Sequence, residues 1–342
     1  MIDAVQLGRS GLRVSRLCLG TMNFGVPGQG HQGDWTLGLD DARPIIAGAF
    51  ERGVFTFDCA DIYGVGASEE VVGRLLRELF PRDEYVLATK IAMPMGRGAN
   101  QGGLSRKHVL EAVDASLRRL GHDYVDQLVI HRHPHGVPGQ AEPPIEETME
   151  ALHDVVRAGK ALYLGASSMF AWQFVELQLT AERHGWTPFI SMQNHYNLIY
   201  REEEREMIPC CARRGVGVMP WSPLARGILA GSYGGGFDRG STRRSQGQDR
   251  ARTESLYRGE ADFAIAARVG EVAARHGCSP AQVALAWLLG KPEVAAPVVG
   301  VSRLAQLDDL VAACDIHLDP ADVTYLEELY RPLDNLLSLG SS

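Results

Sequence analysis

The chain has 342 residues, of which 45% are hydrophobic and 22% are charged, a composition typical of globular proteins. Its formal net charge of -8 argues against nucleic acid or an anionic membrane as the main partner. No run reaches the roughly 18 apolar residues that span a bilayer, and the first residues lack the basic start and apolar run of a signal peptide. Six cysteines without a Cys-x-x-Cys pair favour free thiols in a reducing compartment, so we expect a cytoplasmic protein.

Short apolar runs alternate with helical segments along the whole chain. Residues 1–16 come first and predict a β-hairpin that covers the amino-terminal end of the fold. The strand candidates that follow are residues 17–20, 55–58, 85–89, 127–131, 161–166, 189–193, 217–220 and 296–299. Eight apolar strands separated by helices predict a parallel sheet buried on both faces. We therefore expect an α/β protein with a single (β/α)8 barrel domain over residues 1–342.

The placement of polar residues favours the closed barrel over a doubly wound open sheet. Asp58, Lys90, His131, Gln193 and Trp221 each stand at or just beyond the end of a predicted strand. Reactive side chains of barrels collect at the carboxyl ends of several strands. No predicted strand start carries a comparable set.

Capping residues mark the predicted helix boundaries. Ser68, followed by two glutamates, is predicted to cap one helix, and Ser105 another. A helix that starts at Pro144 is predicted to stop at Gly159, where glycine suits a left-handed conformation. Ser279 opens a capping box followed by proline.

The segment Gly64-Val-Gly66 lies between a strand and a helix, as the glycines of a dinucleotide fingerprint do. The third glycine position of that motif holds Glu69, whose carboxylate would repel a pyrophosphate. We therefore reject a Rossmann-type site here.

Tyr63 follows the strand that ends at Asp58, and Lys90 ends the next strand. A lysine at the end of a buried strand needs a partner, and Asp58 is the carboxylate that faces the same barrel mouth. A neighbouring ammonium stabilises a phenolate, so we expect Lys90 to lower the pKa of Tyr63. The alternative is an ion pair that only closes the barrel mouth.

His131 ends its strand and is followed by His133 and His135. Three alternating histidines suggest a metal site, but Pro134 disturbs the extended backbone and no ligand cluster with suitable spacing accompanies them. We expect no metal. His131 is placed to orient a carbonyl or share its proton, while His133 and His135 are expected at the rim.

Several later residues suit a planar, phosphorylated ligand. Ser167, Ser168 and Gln193 offer hydrogen bonds for an amide, and Trp221 offers a flat ring for stacking. Gly300 through Arg303, after the last strand, suit a phosphate, because barrels commonly bind phosphate at this point.

Taken together, these residues resemble the aldo-keto reductases, and in particular their aryl-alcohol-dehydrogenase-like branch. The resemblance covers nearly the whole chain. Its motifs are Asp58-x-Ala60-x-x-Tyr63, Ala88-Thr-Lys90, Ile130-His131, Gly165-Ala-Ser167-Ser168, Gln193 and Trp221-Ser222-Pro223-Leu224.

The resemblance implies hydride transfer from NADPH, with NADH the less favoured cofactor, to an aldehyde or ketone. It implies that Tyr63 is the general acid, that Lys90 and Asp58 tune its pKa, and that His131 orients the carbonyl. The cofactor-binding residues that it implies are Gly20, Thr21, Met22, Asp58, Ser167, Ser168, Gln193, Trp221, Ser222, Leu224, Arg226, Gly227, Gly300, Ser302, Arg303, Gln306 and Asp309.

Two positions depart from the family pattern. Ser168 stands where many relatives carry Asn, an exchange of one hydrogen-bonding group for another. Asp309 and Leu310 stand where they carry Glu-Asn, which removes an adenine contact and weakens the preference for NADPH.

Three function classes follow from the sequence. The first is a reductase of small carbonyl compounds that are aromatic, sugar-derived or from secondary metabolism, with an oligomer possible. The second is a cofactor-sensing or regulatory subunit with little turnover, and the third is a metal-dependent lyase or isomerase on the same barrel. Met22, Trp35, His133 and residues 231–260, predicted as a long loop after strand seven, are candidates for the pocket wall.

Overall fold

Eight parallel strands form the central sheet in the computed structural model, which describes residues 2–28, 35–133, 142–237, 247–257 and 259–332. Neighbouring strands follow chain order, with the last strand beside the first. They are β3 Cys18–Gly20, β4 Thr56–Asp58, β5 Val86–Ile91, β6 Val125–Ile130, β7 Ala161–Ser167, β8 Phe189–Gln193, β9 Gly217–Val218 and β10 Val298–Val299. Each one overlaps a strand predicted from the sequence.

The sheet closes on itself between β9 and β10. Parallel bridges join Val218 to Val294 and Trp221 to Val298. The backbone N–H of Val298 donates to Pro220 O at 2.8 Å. The predicted barrel is therefore confirmed, and the alternative of an open, doubly wound sheet is wrong.

Helices follow the strands and cover the outside of the barrel. They are α1 Leu39–Glu51, α2 Ala67–Leu79, α3 Arg106–Leu120, α4 Ile145–Arg157, α5 Ala171–His184, α6 Met207–Arg214, α7 Gly247–Leu256, α8 Glu260–His276, α9 Pro280–Leu289, α10 Leu304–Ala312 and α11 Pro320–Glu327. Their apolar faces pack against the outer side of the sheet, where the largest cluster of buried apolar residues lies. No helix within the described ranges is long and apolar enough to cross a membrane.

Most predicted helix boundaries are confirmed, but one is wrong. The Ser105 hydroxyl accepts from His108 N at 3.3 Å, and Ser279 forms its capping box. Ser68 does not cap α2, because the helix already begins at Ala67 after the left-handed Gly66. Ser68 is instead buried in the first turn, where its hydroxyl donates to Thr21 O at 2.9 Å.

The prediction of a loop over residues 231–260 is wrong in its second half, because α7 occupies Gly247–Leu256. Residues 238–246 and 258 lie outside the described part of the chain. Thr253 of α7 is fully buried, and Tyr257 just beyond it is 5% exposed. These two buried side chains thus anchor a segment whose polar composition predicted a loop.

The predicted amino-terminal hairpin is present as β1 Ala4–Gln6 and β2 Arg13–Ser15. Leu7 and Val14 are buried in a cluster with Met219 and Ala296. Ser15 N donates to Thr56 Oγ1 at 2.9 Å, at the start of β4. The hairpin therefore packs against the amino-terminal ends of the barrel strands.

Gly8 lets the hairpin approach β9. Its φ is +59°, and a Cβ there would lie 2.4 Å from Gly215 O. We expect Gly8→Ala to lower the free energy of unfolding by about 3 kcal/mol, from left-handed strain and the steric clash together. Urea unfolding followed by circular dichroism measures this loss.

Gly159→Ala is the matched control, because Gly159 has a φ of +72° and no atom within 4 Å of the added Cβ. It should lose only the strain contribution of about 1 kcal/mol. Equal losses in the two variants would contradict the close approach at Gly8.

Candidate active site

Asp58 and Lys90 form the ion pair that the sequence predicted. β4 ends at Asp58 and β5 carries Lys90, so both side chains lie at the carboxyl end of the barrel, and both are at most 1% exposed. Lys90 Nζ donates to Asp58 Oδ2 at 2.5 Å and to Cys59 O at 2.9 Å. Burial acts to lower the pKa of Lys90, but the charges of Asp58 and Tyr63 and the hydrogen bonds to both outweigh it and raise that pKa.

Tyr63 lies beside this pair. Its hydroxyl is 3.2 Å from Lys90 Nζ, and the ammonium also lies 4.9 Å from the ring centroid. Burial raises the pKa of Tyr63 above its ordinary value, and Lys90 opposes that rise without cancelling it. The predicted net lowering of this pKa is therefore wrong, because desolvation of the phenolate outweighs the nearby cation.

His131 follows β6, and its ring meets the Tyr63 ring edge-on with centroids 6.0 Å apart. Burial lowers the pKa of His131 well below its ordinary value, and the charges of Lys90 and Arg132 lower it further. Its Nδ1 has no hydrogen-bond partner among the described residues. That nitrogen is sealed from solvent, whereas Nε2 is not, so the neutral imidazole can make a hydrogen bond to a ligand through Nε2 but holds no extra proton to share.

Three of the predicted amide-binding residues are linked to one another and to the ion pair. Gln193 Nε2 donates to Asp58 Oδ1 at 2.9 Å. Ser167 Oγ donates to Gln193 O at 2.9 Å, and Trp221 Nε1 donates to Ser168 Oγ at 2.9 Å. The ends of β4, β7, β8 and β9 thus meet in one hydrogen-bonded group.

One face of Trp221 is already covered. His195 stacks on it with centroids 4.2 Å apart and an interplanar angle of 10°, and Tyr200 stacks on His195 at 4.1 Å. Burial lowers the pKa of His195 to about 3, so this ring is neutral. Only the other face of Trp221 is available as a stacking surface. The sequence analysis did not identify His195, although it stands two residues after Gln193.

The segment after β9 contains left-handed non-glycine residues, with φ of +52° at Ser222, +48° at Ala225 and +56° at Arg226. Such strain collects at ligand sites and requires surrounding contacts to hold it. Arg226 Nε donates to Thr253 Oγ1 at 2.9 Å, and His195 Nε2 lies 3.0 Å from Tyr257 Oη. α7 and the residue after it therefore support this segment, a role that the sequence analysis missed.

Other predicted cofactor residues follow β3, β9 and β10, which are neighbouring strands of the barrel. Gly20 and Gly300 are neighbours, because a Cβ on Gly300 would lie 4.0 Å from Gly20 O. Thr21 is fully buried and its hydroxyl donates to Asp58 O at 3.0 Å, so its side chain supports the end of β4. Met22 and Leu224 are partly buried, and Gly227 is left-handed with φ of +102°.

Ser302 and Arg303 are exposed at the start of α10, and Gln306 lies in its first turn. Gln306 Oε1 accepts from Ser302 N at 2.8 Å. Asp309, which the resemblance implies as a cofactor residue, accepts the Ser279 hydroxyl at 2.9 Å. Exposed N–H groups and a guanidinium at a helix start are suited to an anion.

Two of the three alternating histidines, His131 and His133, lie within the described residues. No cluster of three or more His, Cys, Asp or Glu side chains occurs in the ranges described. His133 is 2% exposed and lies 3.2 Å from Gln173, so its predicted place at the rim is wrong. His135 lies outside the described residues.

Two further carboxyl groups, those of Glu69 and Asp61, are buried close to Tyr63 in the sequence. Glu69 is fully buried, and accepts from Arg119 Nε at 2.6 Å and from Thr89 Oγ1 at 2.5 Å. Asp61 is fully buried as well, but neither of its carboxyl oxygens has a partner among the described residues. Burial, followed by the charge of Glu69, raises the pKa of Asp61 well above its ordinary value, although Arg119 opposes this. The sequence analysis did not identify Asp61.

Comparison with known proteins places the chain in a family. The model of the aldo/keto reductase family matches residues 16–331. The chain is 44% identical to versiconal hemiacetal acetate reductase of Aspergillus parasiticus over 97% of this chain and 98% of that protein. It is 43% identical to a putative aryl-alcohol dehydrogenase of Schizosaccharomyces pombe, with 96% and 95% covered. It is 36% identical to another from Saccharomyces cerevisiae, with 97% and 98% covered.

The chain therefore belongs to the aldo/keto reductase family, as a relative of its aryl-alcohol-dehydrogenase-like members, and is an oxidoreductase.

Asp61 generates a prediction about pH and stability. Its folded-state pKa is raised, so the unfolded chain loses this proton near pH 4 while the folded chain keeps it, and the parent loses stability as pH rises. Asp61→Asn does not titrate. We expect the stability of this variant relative to the parent to increase between about pH 5 and about pH 8, by up to about 1.4 kcal/mol per pH unit. Urea titrations across this range measure the difference.

Asp83→Asn is the control, because Asp83 is exposed. Its stability relative to the parent should not change with pH. A pH-independent difference for Asp61→Asn would show that this carboxyl is ionised in the fold.

Proposed function

We propose that the chain is an NADPH-dependent reductase that converts an aldehyde or ketone to an alcohol, with Tyr63 as the general acid. The observation that carries the proposal is the Tyr63 hydroxyl 3.2 Å from Lys90 Nζ, which is itself held 2.5 Å from Asp58 Oδ2. The reduced nicotinamide, when bound, supplies the hydride. The family assignment supports carbonyl reduction in general.

The proton step relies on Tyr63 and Lys90. Because burial raises the pKa of Tyr63, the phenol keeps its proton throughout the neutral range and can give it to a carbonyl oxygen. Proton transfer leaves a phenolate, and the adjacent ammonium of Lys90 stabilises that anion. Asp58 holds the ammonium in place and keeps it charged.

His131 takes the orienting role. Its low pKa makes it neutral at physiological pH, so it can donate a hydrogen bond to a carbonyl oxygen without competing with Tyr63 as the acid. The ring lies beside Tyr63, as this role requires.

The mouth fits a nicotinamide dinucleotide at both of its ends. Ser167, Ser168 and Gln193 would hold the carboxamide, and the uncovered face of Trp221 would stack on the ring. At the other end, the exposed start of α10, including Arg303, would bind phosphate. Ser222, Leu224, Arg226, Gly227, Gly300, Ser302, Gln306 and Asp309 would line the groove for the pyrophosphate and adenosine. An arginine here supports NADPH over NADH, since the extra phosphate of NADPH is anionic.

The substrate class and setting complete the proposal. The names of the relatives, among them aryl-alcohol dehydrogenases, favour an aromatic carbonyl compound. We also propose that the chain acts as one domain in the cytoplasm, as its composition suggests.

Tyr63→Phe tests the acid. We expect it to lower kcat for benzaldehyde reduction by roughly 100- to 10,000-fold, because general acid catalysis typically contributes this much. NADPH affinity, followed by quenching of protein fluorescence, should change less than about twofold. NADPH oxidation at 340 nm with a panel of aldehydes measures turnover.

Tyr163→Phe is the matched control, because that hydroxyl lies beside Gly11 of the hairpin, away from the mouth. Full activity in Tyr63→Phe would refute the acid assignment. Tight NADPH binding without turnover of any carbonyl by the parent would favour a cofactor-sensing protein instead.

The pH profile is a separate prediction. The acid must be protonated, so its activity is lost as pH rises through a pKa that burial raises. We expect kcat/KM for aldehyde reduction to be flat from about pH 6 to about pH 9 and to fall only at higher pH. An inflection near pH 6.5, the ordinary range of histidine, would indicate that His131 supplies the proton.

A further inference from the structure

Arg132 directly follows His131 at the carboxyl end of β6, and no carboxylate among the described residues pairs with its charge. Its Nη1 donates to His131 O at 2.6 Å and lies 3.5 Å from Ser167 Oγ. Neither Nε nor Nη2 makes a hydrogen bond to a described residue. Both atoms are absent from the set of buried polar atoms that have no partner and no contact with solvent. The half-buried guanidinium therefore has free donors that solvent can reach.

Three other partly buried arginines are neutralised by carboxylates, whereas Arg16, which has no carboxylate partner among the described residues, donates to three backbone carbonyls instead. Arg82 binds Asp126 at 2.7 Å, Arg119 binds Glu69 at 2.6 Å and Arg201 binds Glu204 at 2.8 Å. Arg132 has neither a carboxylate nor a full set of carbonyl partners among the described residues, so its free donors beside Tyr63 are suited to an anion from outside the chain.

The local charge balance points the same way. The charge of Lys90 is offset by Asp58. Burial lowers the pKa of Arg132 from its ordinary value, Tyr63 opposes this, and Arg252 of α7 lowers that pKa further, so a second cation acts on the same region. Arg132 still keeps its charge at neutral pH. The mouth thus carries positive charge that no carboxylate in the described ranges offsets at Arg132.

We propose that Arg132 is a specificity residue that binds a carboxylate on the carbonyl substrate, so that the preferred substrates are aldehydes or ketones bearing an acid group. This rests on the proposed reductase function, because the carbonyl is placed at Tyr63 and His131. The planar guanidinium binds a carboxylate through two parallel hydrogen bonds, and its adjacency to His131 sets the carboxylate close to the reacting carbonyl.

Binding measured without turnover tests the proposal. The probes are 2-, 3- and 4-formylbenzoate and their methyl esters, titrated by calorimetry into the free enzyme and into the enzyme with NADP⁺, where no hydride is available. The parent should bind at least one carboxylate more tightly than its ester. Arg132→Met should weaken that carboxylate roughly 10- to 100-fold and leave the esters within about twofold. Arg132→Lys should retain part of the preference for the carboxylate over its ester, because lysine keeps the positive charge but lacks the two parallel N–H donors of the guanidinium.

Arg118→Met is the control for the loss of one positive charge, because Arg118 is exposed on α3. It should leave the affinity for every probe unchanged. Equal weakening of carboxylates and esters by Arg132→Met would show that Arg132 only positions His131 or Ser167, and would overturn the proposal. So would a parent enzyme with no preference for any carboxylate.

The two proposals fail differently. NADPH oxidation with methyl 4-formylbenzoate, which has no free acid, reports on the reductase alone. Turnover of this ester without a carboxylate preference would refute the role of Arg132 and leave the reductase standing. An Arg132-dependent carboxylate preference without turnover of any aldehyde would refute the reductase and keep the anion site.

Discussion

The buried ammonium of Lys90 is the interaction on which the mouth of this barrel depends. An unpaired charge at this depth would cost several kcal/mol, so its three oxygen partners must be held in place. Asp58 supplies the closest of them and is held in turn by Gln193, 135 residues further along the chain. Strands β4, β5 and β8 are thereby tied together at their ends. In the closed barrel these three ends face the same mouth, so the fold brings the ion pair together and the ion pair in turn links the strands.

This dependence explains why the sequence predicted so much of the site. A continuous apolar strand such as β5 is buried on both faces, so a lysine near its end must pair with a carboxylate at the same end of the barrel. The same argument applies to Asp58 at the end of β4. Local sequence therefore contains enough information to pair the two, and the eight strands and the hairpin follow from similar patterns. The roles of these residues in catalysis are a separate matter and stay proposals.

What the sequence could not predict depends on contacts between distant segments. α7 has a polar composition, and its place comes from Thr253 against Arg226 and Tyr257 against His195. The stack of Trp221 on His195 joins the ends of β8 and β9, and neither residue alone predicts it. The pKa of Tyr63 is a balance of two opposing effects, and burial, the larger one, is a property of the folded mouth.

The way in which each buried charge is neutralised distinguishes residues that stabilise the fold from residues that can bind a ligand. Lys90 and Glu69 are buried with partners, Asp58 and Arg119, so their charges are neutralised within the chain. Asp61 is sealed without a partner among the described residues, and burial favours its neutral, protonated form. Arg132 can do neither, because a guanidinium does not lose its proton near neutral pH. Water reaches its free donors, and a bound anion can replace that water beside Tyr63. Its charge is thus the one in this group that the fold leaves to be balanced from outside.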